Sequence, residues 1–516
     1  MEGARSSVFD ISFPFMRVIK KLAGETALYG VSSILGRLLN YVLVPLHTTI
    51  FLPGQMAITV ELFAYVAFLN VLYTYGMETA FFRFASKTKD QNTYYNAALT
   101  AIILSSVFFS AIFVLFSSQI AASLGYPGKG LFITWLAIIV AIDAIVAIPF
   151  ARLRLEKKAR KFATARVVNI ALNVFLNIFF LYFCRNVYEG NFLAELKPLV
   201  DLIYSPTLGV GYIFLANLLA NLAFFGLLWR ELSLSRPVFD GSLLRPMLVY
   251  GYPILIMGLA GTINLMIDRI MLKSYLPEGF YPGRSAADAL GIYGNCYKLS
   301  IFLSLVIQAF RYAAEPFFFS KAEEKNAPAT FAEVMKWFII SCAVIWLGVS
   351  VNLDILKLIF LRKQIYWEGL IVVPILLLAN LFLGVYYNLS VWFKLSDKTS
   401  YGTLITAAGA MVALAGNLLL IPVLGYMGCA LAFLLSCFVM TGLCYVLGNK
   451  YYPIPYDLKS AAGYVGGAGL LIWLSFGISF HNFFVETAFH FLLCAGYLLI
   501  IYLVERRKAK PLEKAD

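Results

Sequence analysis

Charge is scarce in this chain: Asp, Glu, Lys and Arg make up 13% of its 516 residues, against roughly 25% in a soluble globular domain. Histidine is scarcer still, with His47, His481 and His490 far apart. No HExxH or CxxC spacing is present, and six of the seven cysteines (all but Cys184) fall inside apolar stretches. These absences argue against a metal centre and a disulfide framework, and leave the cysteines as small packing residues. Long polar segments are missing too. The longest connection on what is read below as the outer side, residues 184–208, has about 25 residues, too few for the catalytic loop or domain of a membrane glycosyltransferase or polymerase. The residues before Gly24 lack an apolar run beside a small-residue cleavage site, so the first apolar segment is expected to be retained.

What the chain has instead is apolar runs, with 61% hydrophobic residues and a mean hydropathy of +0.80. A spanning helix needs roughly 20 mainly apolar residues. Such runs are expected at 24–50, 58–80, 94–117, 131–150, 164–183, 209–229, 246–272, 288–312, 331–352, 367–391, 401–421, 426–447, 460–479 and 484–504. The expected fold is therefore an all-α integral membrane protein of about fourteen transmembrane helices. The net charge of +13 points to orientation and not to nucleic acid, because alternate connections hold 27 and 8 of the Lys and Arg. The positive-inside rule then places both termini in the cytoplasm. The densest basic run, Arg152–Lys161, reads as an orientation signal near anionic headgroups.

Weak self-similarity divides the chain. The first span ends Leu52-Pro53-Gly54 and the seventh Leu276-Pro277-Glu278-Gly279; the second runs into Phe81-Phe82-Arg83-Phe84-Ala85-Ser86-Lys87 and the eighth into Phe317-Phe318-Phe319-Ser320-Lys321. Sliding one half on the other puts Asn40 over Asn264. Two parallel six-helix halves follow, an arrangement of transporters that hold substrate between lobes. The expected organisation is a cytoplasmic segment 1–23, an N-terminal lobe 24–229, a C-terminal lobe 246–447, two additional helices within 460–504 and a basic tail 505–516.

The second half carries a family resemblance. Tyr250-Gly-Tyr-Pro253, Asn264-Leu-Met-Ile-Asp-Arg-Ile-Met-Leu272, Gly291-Ile-Tyr-Gly-Asn-Cys-Tyr-Lys-Leu-Ser300, Gln308-Ala-Phe-Arg-Tyr-Ala-Ala-Glu-Pro-Phe317 and the stretch Gly416–Ala432 resemble the ordered signatures of Wzx-type polysaccharide biosynthesis flippases. These belong to the multidrug/oligosaccharidyl-lipid/polysaccharide (MOP) exporter superfamily. The resemblance implies a V-shaped, MATE-like pair of lobes around a central cavity in the bacterial inner membrane. It also implies alternating access that carries an undecaprenyl-pyrophosphate-linked oligosaccharide, of O-antigen, capsule or exopolysaccharide type, across the membrane with no covalent change. Partners would be the lipid-linked oligosaccharide, membrane lipids, and the polymerase and glycosyltransferases of the pathway. No cofactor is implied beyond coupling to a proton or sodium gradient. A multidrug exporter and a peptidoglycan-precursor flippase of the same superfamily are the rival readings.

Ionised groups deep in a span cost about 2.5–3.5 kcal/mol on insertion scales and need a reason. Arg37 lies about 13 residues, or roughly 20 Å, into the first span; it either grips the pyrophosphate with its planar fork or pairs with Asp143 or Glu61. Lys298 is the corresponding cation of the second lobe and shares a face with Asn295. Asp143 is the deepest acid and the candidate coupling group. Asn169, Asn173 and Asn177 recur every four residues, as do Asn217 and Asn221; such amides either glue helices together or line a sugar path. Arg37, Asn40, Lys298, Asn264, Asn295, Asn173 and Asn177 are thus the candidate cavity residues. Asn264 and Asp268 read as solvated near the membrane interface, Arg311 and Glu315 as a local ion pair, and Pro45, Pro253 and Pro374 as hinge positions.

Overall fold

The structure, a computed structural model, describes residues 41–509 apart from 234, 479 and 481. Every regular element among the described residues is helical. Among the described residues twelve helices are long and apolar enough to cross a membrane, and two shorter apolar ones, Tyr41–Ile50 and Gly211–Leu227, bring the number to fourteen. In chain order they are α1 (Tyr41–Ile50), α2 (Pro53–Ala85), α3 (Gln91–Leu115), α4 (Gly130–Leu155), α5 (Ala159–Tyr188), α6 (Gly211–Leu227), α7 (Gly241–Tyr275), α8 (Ala286–Lys298, continued as Ile301–Lys321), α9 (Ala327–Val351), α10 (Gln364–Leu395), α11 (Ser400–Leu424), α12 (Tyr426–Tyr451), α13 (Leu458–Gly477) and α14 (Phe483–Lys508). This is a multi-pass membrane protein. Many spans exceed the apolar runs at both ends, because a helix continues past the hydrocarbon as long as its backbone bonds can be made internally.

Helices α3 to α6 pack mainly on one another, as do α7 to α12, and α13 and α14 dock on α9; α2 joins the two groups, packing on α7 and α8 as well as on α3 and α4. The connections fall on two faces. One carries the Arg152–Lys161 run and is called the basic face; the other carries Phe51–Leu52, Leu276–Ser285 and Leu361–Lys363 and is called the distal face. On the distal face the two lobes are in tight contact. Gly291 of α8 lies so close to α2 that a β-carbon there would stand 1.9 Å from the Pro53 carbonyl oxygen, and one at Gly294 would stand 2.5 Å from Val60. Asp288 binds both lobes. One of its oxygens accepts from the Ser285 amide and hydroxyl, which caps α8, and the other accepts from the Gly54 amide at the start of α2 at 3.0 Å. The Thr48 hydroxyl donates to the Phe360 carbonyl at 2.7 Å, and the Tyr366 hydroxyl to the Phe51 carbonyl at 3.0 Å.

The helix breaks are not at the expected prolines. Pro253 lies inside continuous α7, and Pro374 in the first turn of the α-helical part of α10; an early-turn proline forfeits no intrahelical bond. Instead α2 turns at Tyr75–Gly76, both with positive φ, α8 breaks at Leu299–Ser300, and α10 breaks at Ser390. Gly76 is forced by packing as well as by φ, because a β-carbon there would stand 2.6 Å from the Gly251 carbonyl of α7.

Candidate substrate cavity

Between the lobes lies a cavity of about 480 Å³. Each wall is built from a helical repeat: Met56, Thr59, Val60 and Phe63 from α2, Asn173 and Asn177 from α5, Ile213 and Asn217 from α6, Met266 and Arg269 from α7, and Gly294, Tyr297, Lys298 and Ile301 from α8. Tyr41, Val44 and His47 of α1 complete it. These spacings of three, four and seven are what one face of a helix presents. The polar residues among them define its chemistry.

That chemistry is cationic and amide-rich. Arg269 is buried; it contacts Asp268 Oδ1 at 3.3 Å, donates to the Leu265 carbonyl, and lies 4.0 Å over the centre of the Tyr297 ring. Asp268 sits behind it and accepts from the Tyr293 hydroxyl at 2.5 Å. Lys298 donates to Asn295 Oδ1 at 2.9 Å, and among the described residues no carboxylate comes within 4.0 Å of it. His47 Nε2 lies 3.0 Å from Asn177 Oδ1, and Asn177 donates to Asn173 Oδ1 at 2.9 Å. None of the described lining residues is acidic. No group of three or more metal-type ligands occurs among the described residues.

The expected site residues separate into three sets. Lys298, Asn173 and Asn177 line the cavity. Asn295 does not: it is fully buried behind the wall, donates to the Gly291 carbonyl and orients Lys298. Asn264 is also outside, donating to the Thr406 carbonyl at 3.1 Å and accepting from Ser436 at 2.7 Å as glue between α7, α11 and α12. Asp143 is away from the cavity; Asn221 donates to it at 3.0 Å and also accepts from Asn169, tying α4, α5 and α6 together. Arg166 makes no ion pair with it within 4.0 Å and stacks on Phe150 instead, at 4.2 Å. Arg37 and Asn40 lie outside the described residues.

Two further expectations are corrected. Glu315 pairs with Lys394 at 2.8 Å and not with Arg311, which lies over the Tyr387 ring. Asn264 and Asp268 are buried, not solvated, because α11 and α12 cover that face of α7. Glu61 accepts from Lys273 and Tyr126; its expected alternative partner Arg37 lies outside the described residues. Arg269, His47 and Tyr297 are cavity residues to which the sequence assigned no cavity role, and Asn217, read as either glue or sugar path, also lines the cavity. Arg269 carries the right signal, an ionised group inside a span, three residues from the expected end of that span at 272.

Residues 54–189 match a polysaccharide biosynthesis protein family. No curated protein sequence matches the chain. Solved structures extend the comparison to nearly the whole molecule. Lipid II flippase MurJ in an inward closed conformation superposes with a TM-score of 0.66 at 12% identity, covering 92% of this chain and 99% of that one. An inward-facing multidrug resistance MATE family transporter of the MOP superfamily gives 0.59 at 14% identity, over 80% and 94%. A MOP superfamily transporter from Pyrococcus furiosus, described as having a binding pocket of reversed polarity, gives 0.57 at 13% identity, over 85% and 96%. The chain has the fold of these transporters.

Proposed function

We propose that this protein is a flippase for an oligosaccharide linked through pyrophosphate to undecaprenol, working by alternating access in the bacterial inner membrane. The observation that carries the reading is the cavity's polarity. Arg269 and Lys298 face a chamber with no acidic residue among its described walls, whereas a chamber for organic cations needs acids. An arginine fork and an ammonium are suited to phosphate oxygens. The amides of Asn173, Asn177 and Asn217 offer donors and acceptors to sugar hydroxyls. The diphosphate and the first sugars would occupy the cavity while the polyprenyl tail stays in lipid, so only the polar part needs a path. The match of residues 54–189 to a polysaccharide biosynthesis family supports this substrate class, and the chain is read as a carrier, not an enzyme. A proton or sodium gradient is proposed to drive the cycle, with Asp143 as the coupling group.

The direct test is reconstitution. In proteoliposomes the wild type should move a polyprenyl-diphosphate sugar between leaflets, and Lys298→Met should slow it by roughly tenfold, the loss of one charge-assisted bond. A wild type that exports a cationic drug and leaves the lipid diphosphate in place would overturn the reading. Equal rates for peptidoglycan-type and polysaccharide-type lipid diphosphates would identify the diphosphate as the recognised group; preference for the peptidoglycan precursor would favour the rival flippase.

Orientation is tested separately. With the basic face in the cytoplasm, Gly128→Cys and Gly283→Cys should react with a membrane-impermeant thiol reagent in intact cells, since a β-carbon at either position meets nothing within 4 Å. Lys158→Cys should not. Labelling at residue 158 alone would invert the topology.

A further inference from the structure

One cation of the C-terminal lobe is held wholly by groups of the N-terminal lobe. Lys273, in the last turn of α7, donates to Glu61 Oε2 at 2.9 Å and to the Leu124 carbonyl at 2.5 Å, and its ammonium lies 3.8 Å from the centre of the Tyr126 ring. The Tyr126 hydroxyl donates to the same Glu61 oxygen at 2.5 Å. Glu61 belongs to α2, and Leu124 and Tyr126 to the connection from α3 to α4. The lysine is a plug and the other three groups are its socket. Glu61 is 3% exposed, and removing the partner of a buried charge is strongly unfavourable. The lobes therefore cannot separate at the distal face without stranding both charges, unless another ion takes one of them.

Lys273 lies four residues beyond Arg269 on α7, on the same face and about 6 Å nearer the distal side. Arg269 lines the cavity. The helix thus carries two cations in line, one in the chamber and one on the way out. We infer that Lys273 is an exit-side phosphate site, occupied by the Glu61 carboxylate while the distal face is closed. The inference rests on the diphosphate substrate proposed above. Carboxylate and phosphate oxygens compete for the same ammonium donors, so a diphosphate arriving from Arg269 replaces Glu61 as the lobes part. A ligand shifts a conformational equilibrium only by its difference in affinity for the two states. The contact with Lys273 exists only in the parted state, so a loaded carrier opens and an empty one stays latched.

The experiment places spin labels on cysteines at Gly128 and Glu278, one in each lobe's distal loops, in a chain freed of its native cysteines. Inorganic pyrophosphate at millimolar concentration is the probe, and flipping of a polyprenyl-diphosphate sugar is measured in parallel. Glu61→Gln should shift the label distances to the parted form without pyrophosphate. The exchanged pair, Glu61→Lys with Lys273→Glu, should close like wild type, fail to open with pyrophosphate, and flip lipid roughly tenfold more slowly. An exchanged pair that opens with pyrophosphate and flips at the wild-type rate would overturn the inference, leaving Lys273 as half of a latch. If the exchanged protein does not fold, the neutral pair Glu61→Gln with Lys273→Met should show label distances unchanged by pyrophosphate and the same slower flipping, and a pyrophosphate response with wild-type flipping would equally overturn the inference. A wild type that flips no lipid diphosphate would sink the proposed function, while the pyrophosphate response would still judge Lys273 on its own.

Discussion

Gly291→Leu is expected to prevent the distal face from closing and to lower lipid flipping by at least roughly tenfold. The reason is what the new side chain would meet. A β-carbon at 291 falls 1.9 Å from the Pro53 carbonyl oxygen and 2.4 Å from its carbonyl carbon, and these are backbone atoms that no rotamer change can move. Overpacking a tight contact costs about 1–3 kcal/mol even when neighbours adjust. Here the available adjustment is a rigid separation of α8 from α2, which takes the Gly54–Asp288 bond with it. At Gly294 the three atoms nearest a new β-carbon all belong to the Val60 side chain and none to backbone, so the effect of Gly294→Leu should be smaller. Gly496→Leu on α14 meets nothing within 4 Å and serves as the control. Thermal unfolding in detergent and the label distance between residues 128 and 278 measure the two effects. A Gly291→Leu protein with wild-type distance and wild-type flipping would show that this crossing does not hold the distal face shut.

The membrane class and the helices were legible because burial in lipid imposes one strong rule, internal pairing of every backbone group, and apolar length follows from it. Each of the fourteen apolar runs corresponds to a helix in the structure, including α1, of which the described part begins at Tyr41. The breaks were illegible for a related reason. Proline is visible in a sequence, but Pro253 is absorbed inside α7 and Pro374 near the start of α10, while the actual break of α2 comes from Gly76 meeting Gly251, a contact between residues 175 positions apart. Only the three-dimensional packing brings those two glycines together.

The polar residues were half legible. Periodicity correctly grouped Asn169, Asn173 and Asn177 on one helix, yet the first of these bonds to α6 and the other two face the cavity. A stripe says that a helix has a polar side; what lies opposite each turn depends on the tilt of its neighbours. Charges were read by depth in the span, which found Lys298 and Asp143, but depth alone does not distinguish a chamber from an interhelical contact. Asp143 proved to be in the latter. Arg269 and Lys273 were missed because each sits near a span end and within a few residues of an acid or a loop, where snorkelling is the ordinary expectation. Folding instead covers α7 there, with α11 and α12 over Asp268 and with the Leu124–Tyr126 loop over Lys273.

The second large effect expected is a separation of stability from transport at Asp268 and Arg269. Both side chains are less than a tenth exposed, and Asp268 holds the guanidinium from behind while accepting from Tyr293. Asp268→Asn strands the arginine, and Arg269→Gln strands the carboxylate; breaking one side of a buried pair costs about 3–5 kcal/mol. Removing both charges relieves that cost, so Asp268→Asn with Arg269→Gln should unfold within about 1 kcal/mol of wild type. Transport should follow a different order. If Arg269 grips the diphosphate, the stable double variant still lacks a charge-assisted bond of roughly 1.5–3 kcal/mol, and its flipping should fall by about ten- to a hundredfold. Arg269→Lys keeps the charge without the fork and should recover only part of the rate. Thermal unfolding and proteoliposome flipping, measured on the same four variants, separate the two roles. A double variant that is stable and flips lipid at the wild-type rate would reduce Arg269 to half of an internal ion pair and leave Lys298 as the cavity cation on which the reading depends.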